Sequence, residues 1–337
     1  MKILLLSLFG IAVVSIFSGT YYQSYTTRID LNNHPAPGNI FRVDDINLHI
    51  HCSGEGPISI ILEAGLGESS LSWHPVFSDL ARKNRVCTYD RAGMGWSDGI
   101  NKQLSLDEIS AHLHSLLQKA SVFPPYVLIG HSRGGIYVRN YYQQYKDDVA
   151  GMVLIDSTHE QAGNRLYKFN QMAYLKQLLQ IMVAVPLSKV GLVRLMGWAD
   201  ADRMPTPLPQ GILEAKTAIQ NTTQTAQAIV NEIRVMRRFL EEPSKPPSSL
   251  DNLPLAVLTS KENYFPKENQ PSTDTEETQS LKLKWKMQEE LAELSTNSKH
   301  IVAEKSGHFI MYDQPDLVIR TIQDIVDHVI KKMDATN

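Results

Sequence analysis

Gly130-His131-Ser132-Arg133-Gly134 places a serine between two glycines. The apolar run 126–129 (YVLI) stands directly before it, and a helix-forming run, 134–145, directly after. A strand, a tight turn and a helix in that order make a nucleophile elbow, which lifts a serine hydroxyl off the end of a sheet. The glycines belong there because neighbouring side chains would collide with the folded-back backbone. The helix N-terminus offers the Arg133 N–H to an oxyanion. A serine hydroxyl is a weak nucleophile and needs a base. Of 11 histidines, His308 lies in the loop between the last strand-like run, 300–303, and the last helix-like run, 315–332. A base that follows the nucleophile in the chain belongs at that place. The chemistry such a pair performs is acyl transfer.

The elements that must position these groups can be read from periodicity. From about residue 38, short apolar runs alternate with longer amphipathic ones. Residues 41–43 and 48–52 read as a β-ribbon. Runs 58–62 (ISIIL), 85–89 (RVCTY), 126–129, 152–155 (MVLI), 255–258 (LAVL) and 300–303 read as strands, several buried on both faces. Residues 72–83, 105–120, 134–145 and 315–332 read as helices, with Ser105 and Glu108 at capping-box spacing. This alternation predicts an α/β fold with a mainly parallel sheet and right-handed crossovers. It stops over 157–252, where helical runs (171–185, 212–239) and a Pro-rich stretch (243–247) predict a helical cap inserted into the sheet. Residues 268–280 are polar and acidic and read as a solvated loop. The expected domains are a core of 38–156 with 253–337, a cap of 157–252, a linker of 21–37, and 1–20 as a leader or anchor.

Composition narrows the function. The chain has 337 residues, 42% hydrophobic and 20% charged, an ordinary globular balance with ample length for a large core. Lys+Arg 33 against Asp+Glu 36 gives a net charge of −3, so no basic surplus points to nucleic acid. Two cysteines cannot build a zinc-finger set or a disulfide framework. Cys52 and Cys87 both fall in predicted strands; they are two buried thiols, or a pair if the compartment is oxidising. Lys2 precedes the apolar run 3–17 (ILLLSLFGIAVVSIF), the pattern of a signal peptide. Adding 18–22 gives about the 20 residues of a short membrane anchor. Cleaved signal and retained anchor both stay open, and both put the main domain outside the cytoplasm, membrane-anchored or secreted or periplasmic.

Four ordered motifs together resemble the α/β-hydrolase superfamily, in particular its cap-bearing, serine esterase-like branch. They are Glu63-Ala64-Gly65-Leu66-Gly67, the loop Tyr89-Asp90-Arg91-Ala92-Gly93-Met94-Gly95-Trp96-Ser97, the Ser132 elbow, and Ser306-Gly307-His308-Phe309. The resemblance spans about residues 38–333. It implies a mostly parallel eight-stranded sheet flanked by helices, with a helical lid. It implies a second oxyanion donor in the Leu66 N–H, beside that of Arg133. Ala64 replaces the family's usual histidine there, which leaves the backbone donor untouched. It reads the loop from Asp90 to Ser97 as mainly structural, with Trp96 a candidate pocket wall. The family's usual acid position, in the loop after 255–258, falls on Asn263, which cannot be charged, with Glu262 one residue off. Some members instead carry the acid at the end of the strand before the cap, where this chain has Asp156. Asp156 is therefore the expected third member, and Glu262 the alternative.

Arg133 stands where the family often has an apolar or amide residue. It either attracts an anionic substrate group or pairs with a nearby carboxylate. His159 reads as a polar loop residue or as a pocket residue. Met172, Tyr174, Leu178, Met182, Leu192, Leu195, Met196 and Trp198 make the cap apolar, as lining for a hydrophobic ester or as lid packing. The expected function is hydrolysis of carboxylic esters through Ser132, His308 and Asp156, with no metal or organic cofactor. The expected partners are a small hydrophobic ester, no nucleic acid, and a membrane reached through residues 3–22. Rival readings on the same residues are an iminopeptidase-like enzyme using cap carboxylates such as Glu241 and Glu242, an acyltransferase, a C–C hydrolase, and a non-catalytic binding protein.

Overall fold

The computed structural model describes residues 1–166, 169, 171–199, 208–241, 248–262 and 275–335. Eight strands form one sheet in the order β1-β2-β4-β3-β5-β6-β7-β8. They are β1 (Asn39–Val43), β2 (Ile46–Ser53), β3 (Ser59–Glu63), β4 (Arg85–Tyr89), β5 (Tyr126–His131), β6 (Val149–Ile155), β7 (Leu255–Ser260) and β8 (Ser298–Ala303). The β1–β2 and β2–β4 pairs are antiparallel, and every pair from β4 to β8 is parallel. The motifs and the sheet therefore agree on an α/β-hydrolase architecture, with an antiparallel ribbon at one edge.

The helices in chain order are α1 (Lys2–Asn33), α2 (His74–Ala81), α3 (Leu106–Lys119), α4 (Gly134–Gln144), α5 (Ala162–Leu166), α6 (Gln171–Lys189), α7 (Leu192–Leu195), α8 (Gln210–Gln220), α9 (Thr223–Glu241), α10 (Glu276–Ala292), α11 (Ile310–Asp313) and α12 (Pro315–Asp334). Alternate residues of the central strands serve two separate cores, as a period of two requires. Ile61, Leu128, Leu154 and Val257 pack with Leu113 and Leu116 of α3 and Val138 and Tyr141 of α4. Ile60, Val127, Ile129 and Val153 pack with Val76 and Leu80 of α2 and Val318, Ile322 and Val326 of α12. Helix α3 starts where the sequence predicts, on a complete capping box: Ser105 Oγ accepts from the Glu108 N–H and Glu108 accepts from the Ser105 N–H. Among the described residues between β6 and β7 there are helices α5–α9 and no strand. These helices form the cap.

Two features differ from the sequence expectation, and a third decides between two readings it left open. First, residues 21–33 are no spacer, because α1 runs unbroken to Asn33. Nothing in 21–33 breaks a helix, and the cap gives that half a partner. The buried Gln23 side chain donates to Asn221 O (2.7 Å), and Arg194 pairs with Asp30. A Cβ on Gly19 would sit 2.5 Å from Val190 O, so α1 and the cap touch backbone to backbone there. Second, the described part of the acidic stretch, 275–280, is the start of a helix and not a loop. Thr275 caps α10 with its side chain, and the helix buries Met287 and Leu291 among many charged residues. The Pro-rich 243–247 and residues 263–274 lie outside the described residues. Third, Cys52 and Cys87, register partners on β2 and β4, form a disulfide.

The apolar half of α1 is unburied, and α1 is the one helix among the described residues long and apolar enough to cross a membrane. The cap also turns apolar side chains outward. Met172, Leu175, Leu179, Met182 and Val183 are all exposed, at the spacing of one face of α6. Leu192, Leu195, Met196 and Trp198 are exposed as well, so these residues do not line an interior pocket. The side chains of Tyr174 and Leu178 lie outside the described residues.

Candidate active site

The elbow forms as its sequence predicts. Ser132 follows β5 with φ 51°, a left-handed conformation that costs a non-glycine residue energy. The surroundings hold it there. Its N–H donates to Ile155 O (2.9 Å), and its carbonyl accepts from the N–H groups of Thr158 (2.9 Å) and Gly135 (3.2 Å). Gly130 has no alternative, because a Cβ there would lie 2.6 Å from the Gly135 Cα. At Gly134 a Cβ would lie 2.5 Å from Glu63 O.

Two other strand ends bring partners to Ser132. His308, in the loop after β8, places Nε2 2.9 Å from Ser132 Oγ. Asp156, immediately after β6, places Oδ2 2.6 Å from His308 Nδ1. Asp156 is 2% exposed and also adopts a left-handed backbone, φ 41°. Its N–H donates to Leu258 O (2.7 Å), and its Oδ1 accepts from the Ser260 N–H (3.1 Å). Neighbouring strand β7 thus fixes both the backbone and the carboxylate plane. The histidine loop is braced in turn: the Gly307 N–H donates to Asp313, and the Lys305 N–H and Ser306 hydroxyl donate to Gln314. A hydroxyl, an imidazole and a carboxylate in this order can move a proton off the hydroxyl. Glu262 does not join them; it is exposed, and its backbone N–H donates to Ser306 O (3.2 Å). Asn263 lies outside the described residues.

The loop after β3 closes against the serine, with a Cβ on Gly65 lying 3.3 Å from Ser132 Cβ. Among the described residues, neither the Leu66 N–H nor the Arg133 N–H meets a protein acceptor. What secures this loop was not legible in the motifs. Arg91 donates to Glu63 (2.5 Å), to Ala64 O (2.9 Å), to Gly65 O (2.8 Å) and to Glu232 of cap helix α9 (2.8 Å). Burial pushes the Glu63 carboxyl up, with Arg91 pulling the other way. A second buried cation, Lys216 of cap helix α8, donates to Glu68 (3.0 Å), Ser72 (3.3 Å) and Tyr312 (3.4 Å). The visible signal is a glutamate, Glu63, ending the otherwise apolar run ISIILE; Glu232, which shares Arg91 with it, is remote in the chain and carries no motif.

The loop from Asp90 to Ser97 is structural, as expected. Asp90 accepts from the N–H groups of Ser70 (2.6 Å) and Trp96 (3.1 Å) and contacts the His49 ring (2.7 Å). Trp96 packs beside His49 and donates to His34 O (2.9 Å), so it ties down the end of α1. His159 is buried, with Glu290 3.4 Å from Nε2 and the Gln161 N–H donating to Nδ1. Those contacts hold it as a structural residue of the cap base. The side chains of Glu241 and Glu242 lie outside the described residues.

His131, the residue before Ser132, is fully buried, and its Nε2–H donates to His308 O (3.0 Å). Burial, with the neighbouring His308 ring second, pushes its pKa down to about 3. Its folded pKa lies below the unfolded value of about 6.5, so acid favours the unfolded chain. The stabilising effect of the neutral ring is complete above pH 6.5 and is lost as pH falls towards 3. The expected slope is about 1.4 kcal/mol per pH unit in that window. Urea titrations at pH 7, 6 and 5 check this: His131→Asn should flatten the pH dependence by about one proton, and an unchanged slope would refute it.

Comparison with known proteins gives the same architecture. A protein of Bacillus subtilis, uncharacterized protein YqjL, is 36% identical over 117 residues, which is 34% of this chain and 46% of that one. The chain thus spans less than half the length of that relative. An AB hydrolase superfamily protein of Gibberella zeae is 22% identical over 288 residues, 80% of this chain and 86% of that one. The crystal structure of an enol-lactonase from Burkholderia xenovorans superposes with a TM-score of 0.60 at 15% identity, over 86% of this chain and 100% of that one. A family profile described as alpha/beta hydrolase fold matches residues 58–184, from β3 through the elbow and into α6. With the sheet order and the elbow described above, the chain has the α/β-hydrolase fold, and its residues 58–184 match the profile of that fold.

Proposed function

We propose that this protein is a serine hydrolase that cleaves carboxylic esters through an acyl-enzyme. The observation that carries the reading is the continuous contact from Ser132 Oγ to His308 Nε2 (2.9 Å) and from His308 Nδ1 to Asp156 Oδ2 (2.6 Å). Ser132 Oγ attacks the ester carbonyl while His308 takes its proton. Asp156 keeps the His308 Nδ1–H facing it and stabilises the imidazolium that forms. The Leu66 and Arg133 N–H groups receive the oxyanion of the tetrahedral intermediate. Collapse of that intermediate expels the alcohol, which takes the proton from His308. Water, deprotonated by His308, then attacks the acyl-Ser132 and releases the acid. The test is labelling by a fluorophosphonate together with hydrolysis of 4-nitrophenyl esters. A folded chain that does neither overturns the proposal.

The same proposal includes an anchor: α1 holds the protein to a membrane through residues 3–22. The unburied apolar half of α1 supports it, and so does the exposed apolar face of α6, whose end meets α1 where Gly19 approaches Val190. The full chain is expected to float with phospholipid vesicles, and deletion of residues 2–18 to release it with ester hydrolysis retained. Equal flotation of the two forms would refute the anchor.

A further inference from the structure

Three arginines lie buried around the elbow, and they are not treated alike. Arg91 is saturated by two glutamates and two carbonyls, as described above. Arg139 donates to Glu160 (2.7 Å), to the Ser157 hydroxyl (3.0 Å) and to Thr158 O (2.7 Å). Arg133, the residue after the nucleophile, is 3% exposed, yet its Nε and Nη1 have no hydrogen-bond partner and it makes no ion pair among the described residues. Its neighbour is the Tyr137 ring, with the centroid 5.8 Å from Cζ. The second face of charge is no better. Arg133 caps the N-terminus of α4, whose first turn holds no acidic residue, so the positive end of the helix adds to the guanidinium's own charge. The nearby carboxylates Glu63 and Glu232 are both engaged by Arg91.

A desolvated guanidinium without hydrogen bonds is costly, and structural sites supply partners for it. Here the fold supplies them to Arg91 and Arg139 and withholds them from the one arginine next to Ser132. We propose that Arg133 binds an anionic group of the substrate, so that the enzyme is selective for carboxylic esters carrying a carboxylate near the scissile carbonyl. A carboxylate matches the planar fork of Arg and can accept two of its N–H groups at once. The assignment rests on the ester-hydrolase reading and narrows its substrate class. The role is carried by the side chain, distinct from the backbone N–H that receives the oxyanion.

The test compares 4-nitrophenyl hydrogen glutarate with its methyl ester, methyl 4-nitrophenyl glutarate, which has nearly the same shape and no charge. The readout is the ratio of kcat/KM for the anionic over the neutral ester, which cancels any general loss of activity. Wild type is expected to favour the anionic ester at least tenfold, chiefly in KM. Arg133→Gln is expected to reduce that ratio tenfold or more, and Arg133→Lys to retain part of it. Equal efficiency on the two esters in wild type overturns the anion assignment without any variant, even if Arg133→Gln does not fold. A ratio unmoved by Arg133→Gln also overturns it. Both of those results leave ester hydrolysis standing. Hydrolysis of neither ester, with no fluorophosphonate labelling, removes the ester-hydrolase reading itself and the assignment with it.

Discussion

Ser132→Ala is expected to lower kcat for ester hydrolysis by a factor on the order of 10⁵–10⁶ and to abolish fluorophosphonate labelling. The residue is both nucleophile and attachment point in the proposed reaction, so no neighbour can substitute for it. Activity above the uncatalysed rate should persist at a low level, because the Leu66 and Arg133 N–H groups and the binding site are unchanged. The same position predicts an effect on stability with the opposite sign. Ser132 is held at φ 51°, where glycine is at ease and alanine is not. Ser132→Gly should therefore be inactive yet more stable, by about 1 kcal/mol. Urea unfolding of the three proteins measures this. Activity retained in Ser132→Ala would end the mechanism.

Asp156→Asn is expected to reduce kcat about 10⁴-fold, with KM little changed and the fold intact. The Ser260 N–H explains why so small a change matters. It donates to Oδ1, so an asparagine must place its carbonyl oxygen there and turn its NH₂ towards His308. His308 Nδ1 must then accept, which puts the ring proton on Nε2, facing Ser132 Oγ. In that tautomer the ring cannot take the serine proton. Glu262→Gln, at an exposed side chain, should leave kcat within about twofold. Loss with Glu262→Gln and retention with Asp156→Asn would move the acid to the later loop.

The parts of this arrangement that were legible in sequence are those written in consecutive residues. The strand–serine–helix motif, the Gly-His loop and the two-sided apolar runs each depend on local geometry. They pointed to the sheet and to the residues that converge on its strand ends. Asp156 needed a comparison with a family habit, because one aspartate after a strand looks like any helix cap. What stayed hidden depends on partners far away in the chain. The second half of α1 reads as polar filler until Asn221 and Arg194 arrive from the cap. Helix α10 hides behind its charges, since only a few of its residues are buried. Met172, Met182, Leu195 and Met196 of the cap read as pocket lining or as lid packing, and the structure turns them outward, because apolar periodicity names a face without naming what it meets.

The ion pairs that join the cap to the loop behind Ser132 bear on how this protein can be re-engineered. Exchanging the helices over an active site is an attractive way to change what a hydrolase accepts. Here α8 and α9 are also counter-ion donors: Lys216 serves Glu68, and Glu232 serves Arg91 and, at 3.4 Å, the Gly67 N–H. A foreign cap would strand Glu68 and unbalance Arg91 inside the protein. The loop carrying the Leu66 N–H would then lose its support together with the old specificity. A workable graft must carry Glu63, Glu68 and Arg91 with their cap partners as one unit, so a change of cap is also a change in what supports the loop behind Ser132.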